Sequence, residues 1–117
     1  MDRKLELEFE GWWNYGVSTG SIPLYSDRLP PKDFNELAGQ PCVTMSGLYE
    51  DFIYYTDSKA TLHQFLYMFT KFVDRDWFRR KRKIVTTTRE DGSVASKIVY
   101  QFLVWRKPVN ELPKIAC

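Results

Sequence analysis

The sequence predicts an α+β domain: a twisted antiparallel β-sheet of about four to five strands, one long amphipathic helix packed on one face, and a short additional helix. Three observations predict it. A stripe of apolar residues at helical spacing runs through residues 62–77. Segments rich in alternating, β-branched and aromatic residues flank that stripe on both sides. An Asp91-Gly92 pair separates two strand-like runs, and both residues tolerate the positive φ of a two-residue hairpin turn. The 117 residues suit a single domain over residues 1–117, with material for one core.

Taken in chain order, "KLELEFE" alternates Leu5, Leu7 and Phe9 with charged residues, which predicts a half-buried strand. "GWWNYGVSTGSIPLY" follows, its glycines at 11, 16 and 20 predicting an irregular stretch. In extended chain Trp12 and Trp13 point to opposite faces, which leaves one of them at the surface. "RLPPKDFNELAG" predicts a short helix, with Pro31 in the first turn, Gly39 just past the end, and Phe34 and Leu37 on one face. "CVTMSGLYEDFIYYT" predicts a hairpin turning near Gly47 or Tyr49, with one bulged strand as the alternative.

The long helix is predicted over residues 58–78, capped by Asp57 or Ser58. Leu62, Phe65, Leu66, Phe69, Val73 and Trp77 form its buried stripe, and Gln64, Thr70, Lys71, Asp74 and Arg75 its wet side. The Asp91-Gly92 turn then pairs Glu90 with Ser93, Val85 with Ile98 and Lys83 with Tyr100. Pro108 ends the second strand, and residues 109–117 read as irregular.

Composition narrows function. A net charge of +2 and a pI near 8.5 are milder than a dedicated nucleic-acid domain shows, so any basic patch must be local. Eight Phe, seven Tyr and four Trp exceed what one small core comfortably hides, so several rings are expected at the surface. Two cysteines, Cys42 and Cys117, make no disulfide framework and read as free thiols. The charged, alternating start is no signal peptide, and no apolar run approaches a membrane span. The expected setting is the cytoplasm, of a host cell if the chain is phage-encoded.

Two groups of residues stand out. Arg79, Arg80, Lys81, Arg82 and Lys83 follow Trp77 and Phe78, at a predicted helix-to-strand handover. In the pairing above, Lys83 stands beside Tyr100 and Lys81 beside Phe102, and cations beside rings can hold single-stranded nucleic acid. The plain alternative is that the run solvates a junction. Trp12, Trp13, Tyr15, Tyr54 and Tyr55, with Tyr49, form the second group, a candidate protein-binding surface. His63 is the sole histidine, without ligand partners at metal spacing. The acid clusters "DFNE", "YED" and "DSK" lack the spacing of a metal nuclease, and there is no phosphate-cradling glycine loop or nucleophile elbow.

The sequence therefore predicts a non-enzymatic binding protein without cofactor or metal. It would act by covering a protein partner, in the manner of phage or mobile-element accessory proteins that inhibit host nucleic-acid-handling or defence enzymes. The alternative is a small nucleic-acid-binding domain using a basic and aromatic sheet surface. A homodimer through an exposed strand edge or the aromatic patch is compatible with either.

Overall fold

The computed structural model describes residues 2–21 and 29–106, with Pro113 and Ile115. Its first element is a helix, α1 (Arg3–Thr19), where the alternation of Leu5, Leu7 and Phe9 predicts a strand. That alternation is short, and a longer helical pattern overrides it. Leu5, Phe9, Trp12, Trp13, Gly16 and Val17 are buried at steps of three and four, and Leu7 points outward. Asp2 caps the helix by accepting from the Lys4 N–H, and Gly20 closes it at φ 71°. Neighbouring side chains in a helix diverge by only about 100°. Trp12 and Trp13 therefore both reach the core instead of parting, at 7% and 0% exposure.

The short helix expected after Arg28 contracts to one 3-10 turn, Pro31–Asp33, with Pro31 at its start. The chain then extends as β1 (Phe34–Leu37), turns at Ala38 and Gly39 with positive φ at both, and returns antiparallel as β2 (Gln40–Thr44). Gly39 is a hairpin residue here, not a helix terminator.

The first predicted hairpin, over residues 42–56, is for the most part a helix. Thr44 ends β2 and caps α2 (Met45–Thr56) by accepting from the Gly47 N–H at 3.1 Å. Met45, Leu48 and Phe52 are buried at helical steps, and that burial outweighs the strand preference of the aromatic residues around them. The helix expected over residues 58–78 is shorter. Asp57 terminates α2 in a left-handed conformation, and α3 (Leu62–Phe72) starts at a capping box between Thr61 and Gln64. Asp74, at φ 133°, breaks the path, and a 3-10 turn at Arg75–Trp77 returns Trp77 to the core. Phe65, Phe69 and Val73 are buried as the stripe requires, Leu66 is half-buried and Leu62 is exposed, and Met68, outside the predicted stripe, is buried as well.

The predicted hairpin at Asp91-Gly92 is where it is expected, as β3 (Phe78–Thr88) and β4 (Val94–Trp105). The four strands form an antiparallel sheet in the order β1-β2-β4-β3. The fold is the predicted α+β class, with three α-helices among the described residues, of which α1 is the longest, in place of one long and one short helix.

Phe9 sits at the centre of the core, its ring centroid within 6.5 Å of those of Trp12, Trp13, Phe52, Phe65, Phe69 and Phe72. Both buried indoles find acceptors: Trp12 donates to Asp51 Oδ2 at 2.9 Å and Trp13 to the Pro113 carbonyl at 2.7 Å. Asn14 exchanges two hydrogen bonds with the Ile115 backbone, so these two C-terminal residues pack on α1. Pro108 and Cys117 lie outside the described residues. Cys42 is a free, buried thiol, and that burial raises its pKa.

Candidate nucleic-acid interface: a basic hairpin arm

Only Cys42, Val43 and Thr44 of β2 pair with β4, at Trp105, Val104 and Leu103. Beyond them β3 and β4 run on as a two-stranded arm, and the molecule measures 55 × 33 × 23 Å. The arm's turn decides which side chains share a face. The Gly92 N–H donates to the Arg89 carbonyl at 3.0 Å and the Arg89 N–H to the Ser93 carbonyl at 2.8 Å. Glu90, Asp91 and Gly92 thus form a three-residue loop, with Gly92 at φ 84° as the bulge residue. Asp91 accepts from the Ser93 hydroxyl at 2.6 Å and the Ser93 N–H at 2.9 Å, and these bonds hold its carboxyl below the usual range.

The extra loop residue shifts the register by one from the pairing that a two-residue turn implies. Arg82 lies opposite Tyr100, Arg80 opposite Phe102, Lys83 opposite Val99 and Val85 opposite Lys97. A shift of one exchanges the two faces. The cations beside rings are therefore Arg80 and Arg82, not Lys81 and Lys83.

One face carries Phe78, Arg80, Arg82 and Ile84 against Val104, Phe102, Tyr100 and Ile98. The Arg80 guanidinium lies 4.3 Å from the Tyr100 ring centroid, with that ring about half exposed. Phe78 meets Phe102 edge to face at 5.9 Å and Phe69 at 5.8 Å, which ties the arm's root to the core. Tyr100 and Phe102 also line a depression of about 130 Å³ with Leu62 and Leu66, so this face adjoins α3. The other face carries Arg79, Lys81, Lys83 and Lys97.

Residues 78–105 hold seven cations, Arg79, Arg80, Lys81, Arg82, Lys83, Arg89 and Lys97, against Glu90 and Asp91, a net +5. The whole chain carries +2, so the remainder carries −3. Among the described residues the ion pairs join Arg3 to Glu6 and Glu10 and Lys71 to Glu6, and no arm cation takes part in one. Arg79 instead donates to the Asp76 and Phe78 carbonyls. The basic run lies wholly within β3, just past the point where the Arg75–Trp77 3-10 turn hands over to the strand.

Of the predicted aromatic surface, Trp12 and Trp13 are core residues, and Tyr15, Tyr54 and Tyr55 are exposed. Tyr15 and Tyr55 share a cleft of about 590 Å³ with Leu7, Glu8 and Trp12. Tyr54 and Tyr55 meet edge to face at 4.9 Å and line a second cleft, of about 360 Å³, together with Asp33, Glu50 and Asp51. Tyr49 is half-buried and donates its hydroxyl to the Ala60 carbonyl at 2.7 Å. Tyr67 escaped the sequence reading, and Asp33 entered it only as part of the acid cluster "DFNE", set aside as a metal site. Tyr67 is exposed on α3, at a position outside the buried stripe. Asp33 is buried, and only its tertiary contact with Thr44 and Gly47 marks it out.

His63 stands exposed on α3, and the described residues hold no cluster of three or more His, Cys, Asp or Glu side chains that could bind a metal. Among the described residues no helix is long and apolar enough to cross a membrane. Comparison with family models, with curated proteins and with solved structures finds no match to this chain.

Proposed function

We propose that this protein binds nucleic acid, with the β3–β4 arm as its principal contact. One observation carries the reading: seven cations, none ion-paired among the described residues, stand on a narrow ribbon attached to a body of opposite net charge. A two-stranded ribbon fits the major groove of a duplex, which is about 12 Å wide. Arg79, Lys81, Lys83 and Lys97 suit phosphate contact. Arg80 and Arg82, beside Tyr100, offer planar guanidinium groups and a ring face to bases. The negative body is repelled by phosphate, which orients the arm toward the strand. In this reading the protein is a binding module, not an enzyme.

The test is fluorescence anisotropy with single- and double-stranded oligonucleotides over a salt series. Contact with about five phosphates predicts a loss of roughly 500-fold in affinity between about 50 and 200 mM salt. Replacing Arg79, Arg80 and Lys81 by Ala should leave folding intact and flatten that slope. Wild-type protein that shows no salt-dependent binding would end the proposal.

A second reading keeps a protein partner, inhibition of a host nucleic-acid-handling or defence enzyme included. The exposure of Tyr15, Tyr54 and Tyr55 favours it. Capture of a partner that survives high salt and is lost in a Tyr54→Ala, Tyr55→Ala variant would support it over the first.

A further inference from the structure

We propose that the cleft between the Pro31–Asp33 turn and α2 receives an arginine side chain from a partner protein. The inference rests on the second reading, contact with a protein through Tyr54 and Tyr55, and supplies its chemistry.

The cleft is built around a buried carboxylate with spare capacity. Asp33 is 6% exposed, and its Oδ1 accepts from the Thr44 hydroxyl at 2.7 Å. Its Oδ2 has no hydrogen-bond partner. A buried carboxylate oxygen left without a donor is costly, and a cationic donor removes that cost. The placement is enforced from below. A Cβ on Gly47 would stand 2.7 Å from Asp33 Cγ, so only glycine lets this carboxylate sit against the first turn of α2. The start of a helix favours negative charge there.

The rest of the lining adds acids and rings to the apolar Leu29 and Pro30. Glu50 adds an exposed carboxylate and Asp51 a buried one that accepts the Trp12 indole N–H. Tyr54 is 79% exposed, and Tyr55 abuts it edge-on. Three carboxylates and two phenol rings thus line a space of about 360 Å³. A guanidinium fits this set better than an ammonium. Its planar fork of donors can engage carboxylate oxygens while its face stacks on a ring.

The probe is Nα-acetyl-argininamide, titrated into isotope-labelled protein and followed by amide chemical shifts. Its neutral isostere, Nα-acetyl-citrullinamide, is the control. The expected result is saturation at roughly millimolar concentration, with shifts centred on Gly47, Glu50 and Tyr54, and none with the control. Asp33→Asn should weaken binding about tenfold. Should that variant fail to fold, Glu50→Gln and Tyr54→Ala, both on exposed side chains, must each weaken it. Equal response to the two probes, shifts centred elsewhere, or no saturation with wild-type protein would overturn the arginine site. Partner capture that still depends on Tyr54 and Tyr55 would then leave the second reading standing without it.

Discussion

At the scale of single residues, Glu6 shows how this small core accommodates charge. It is buried on α1, yet it receives Lys71 from α3 and lies 3.8 Å from Arg3. The Lys71 hydrogen bond lowers the Glu6 pKa against the opposing effect of burial, and the same bond raises that of Lys71. A folded-state value below the unfolded one means that Glu6 adds stability at neutral pH and loses it as pH falls through the acid range. The Lys71 contribution fades only at strongly alkaline pH, above its ordinary value. Glu6→Gln should therefore melt lower than wild type near neutral pH, with the gap closing as pH falls below the ordinary glutamate range. Thermal melts across that range check it, and a constant gap would assign Glu6 a packing role alone. Gly47 offers a second test. Gly47→Ala drives a methyl into the Asp33 carboxylate and should destabilise the protein by about 1 to 3 kcal/mol in urea unfolding.

At the scale of elements, the hairpin was legible as a hairpin while its register was not. Asp-Gly serves both two-residue and three-residue loops, and the bonds between Arg89, Gly92 and Ser93 choose the longer one. Gly92, at φ 84°, occupies the left-handed position, so Gly92→Ala should cost about 1 kcal/mol. Hydrogen exchange should place that loss at the arm's tip and leave α1 protected. The helices were harder to read for a related reason. Leu5, Leu7 and Phe9 satisfy a strand pattern over seven residues, and only the continuation through Trp13 and Val17 makes the helix evident. In α2 the aromatic residues favour a strand, but the Thr44 cap and the burial of Leu48 and Phe52 decide for a helix.

At the scale of the whole molecule, charge and shape divide together. The arm holds +5 and the rest −3, so the near-neutral total conceals a strong local field. Two strands alone are marginally stable in water, and past Tyr100 the arm exposes Ile84, Val85, Val94 and Ile98. Amides around Ile84 and Thr86 should therefore exchange faster than those of β2. They should slow when an oligonucleotide is bound, and exchange that oligonucleotide leaves unchanged would remove the arm from the interface.

The α+β class, the final hairpin and the existence of a local basic run followed from the sequence alone, because periodicity, Asp-Gly and consecutive cations are properties of neighbours along the chain. Tertiary structure decided which cations stand beside rings, which tryptophans are core, and that Asp33 meets Gly47 under a pair of exposed tyrosines. Each depends on a one-residue register or on contacts between distant segments, and packing energy, not local preference, determines those.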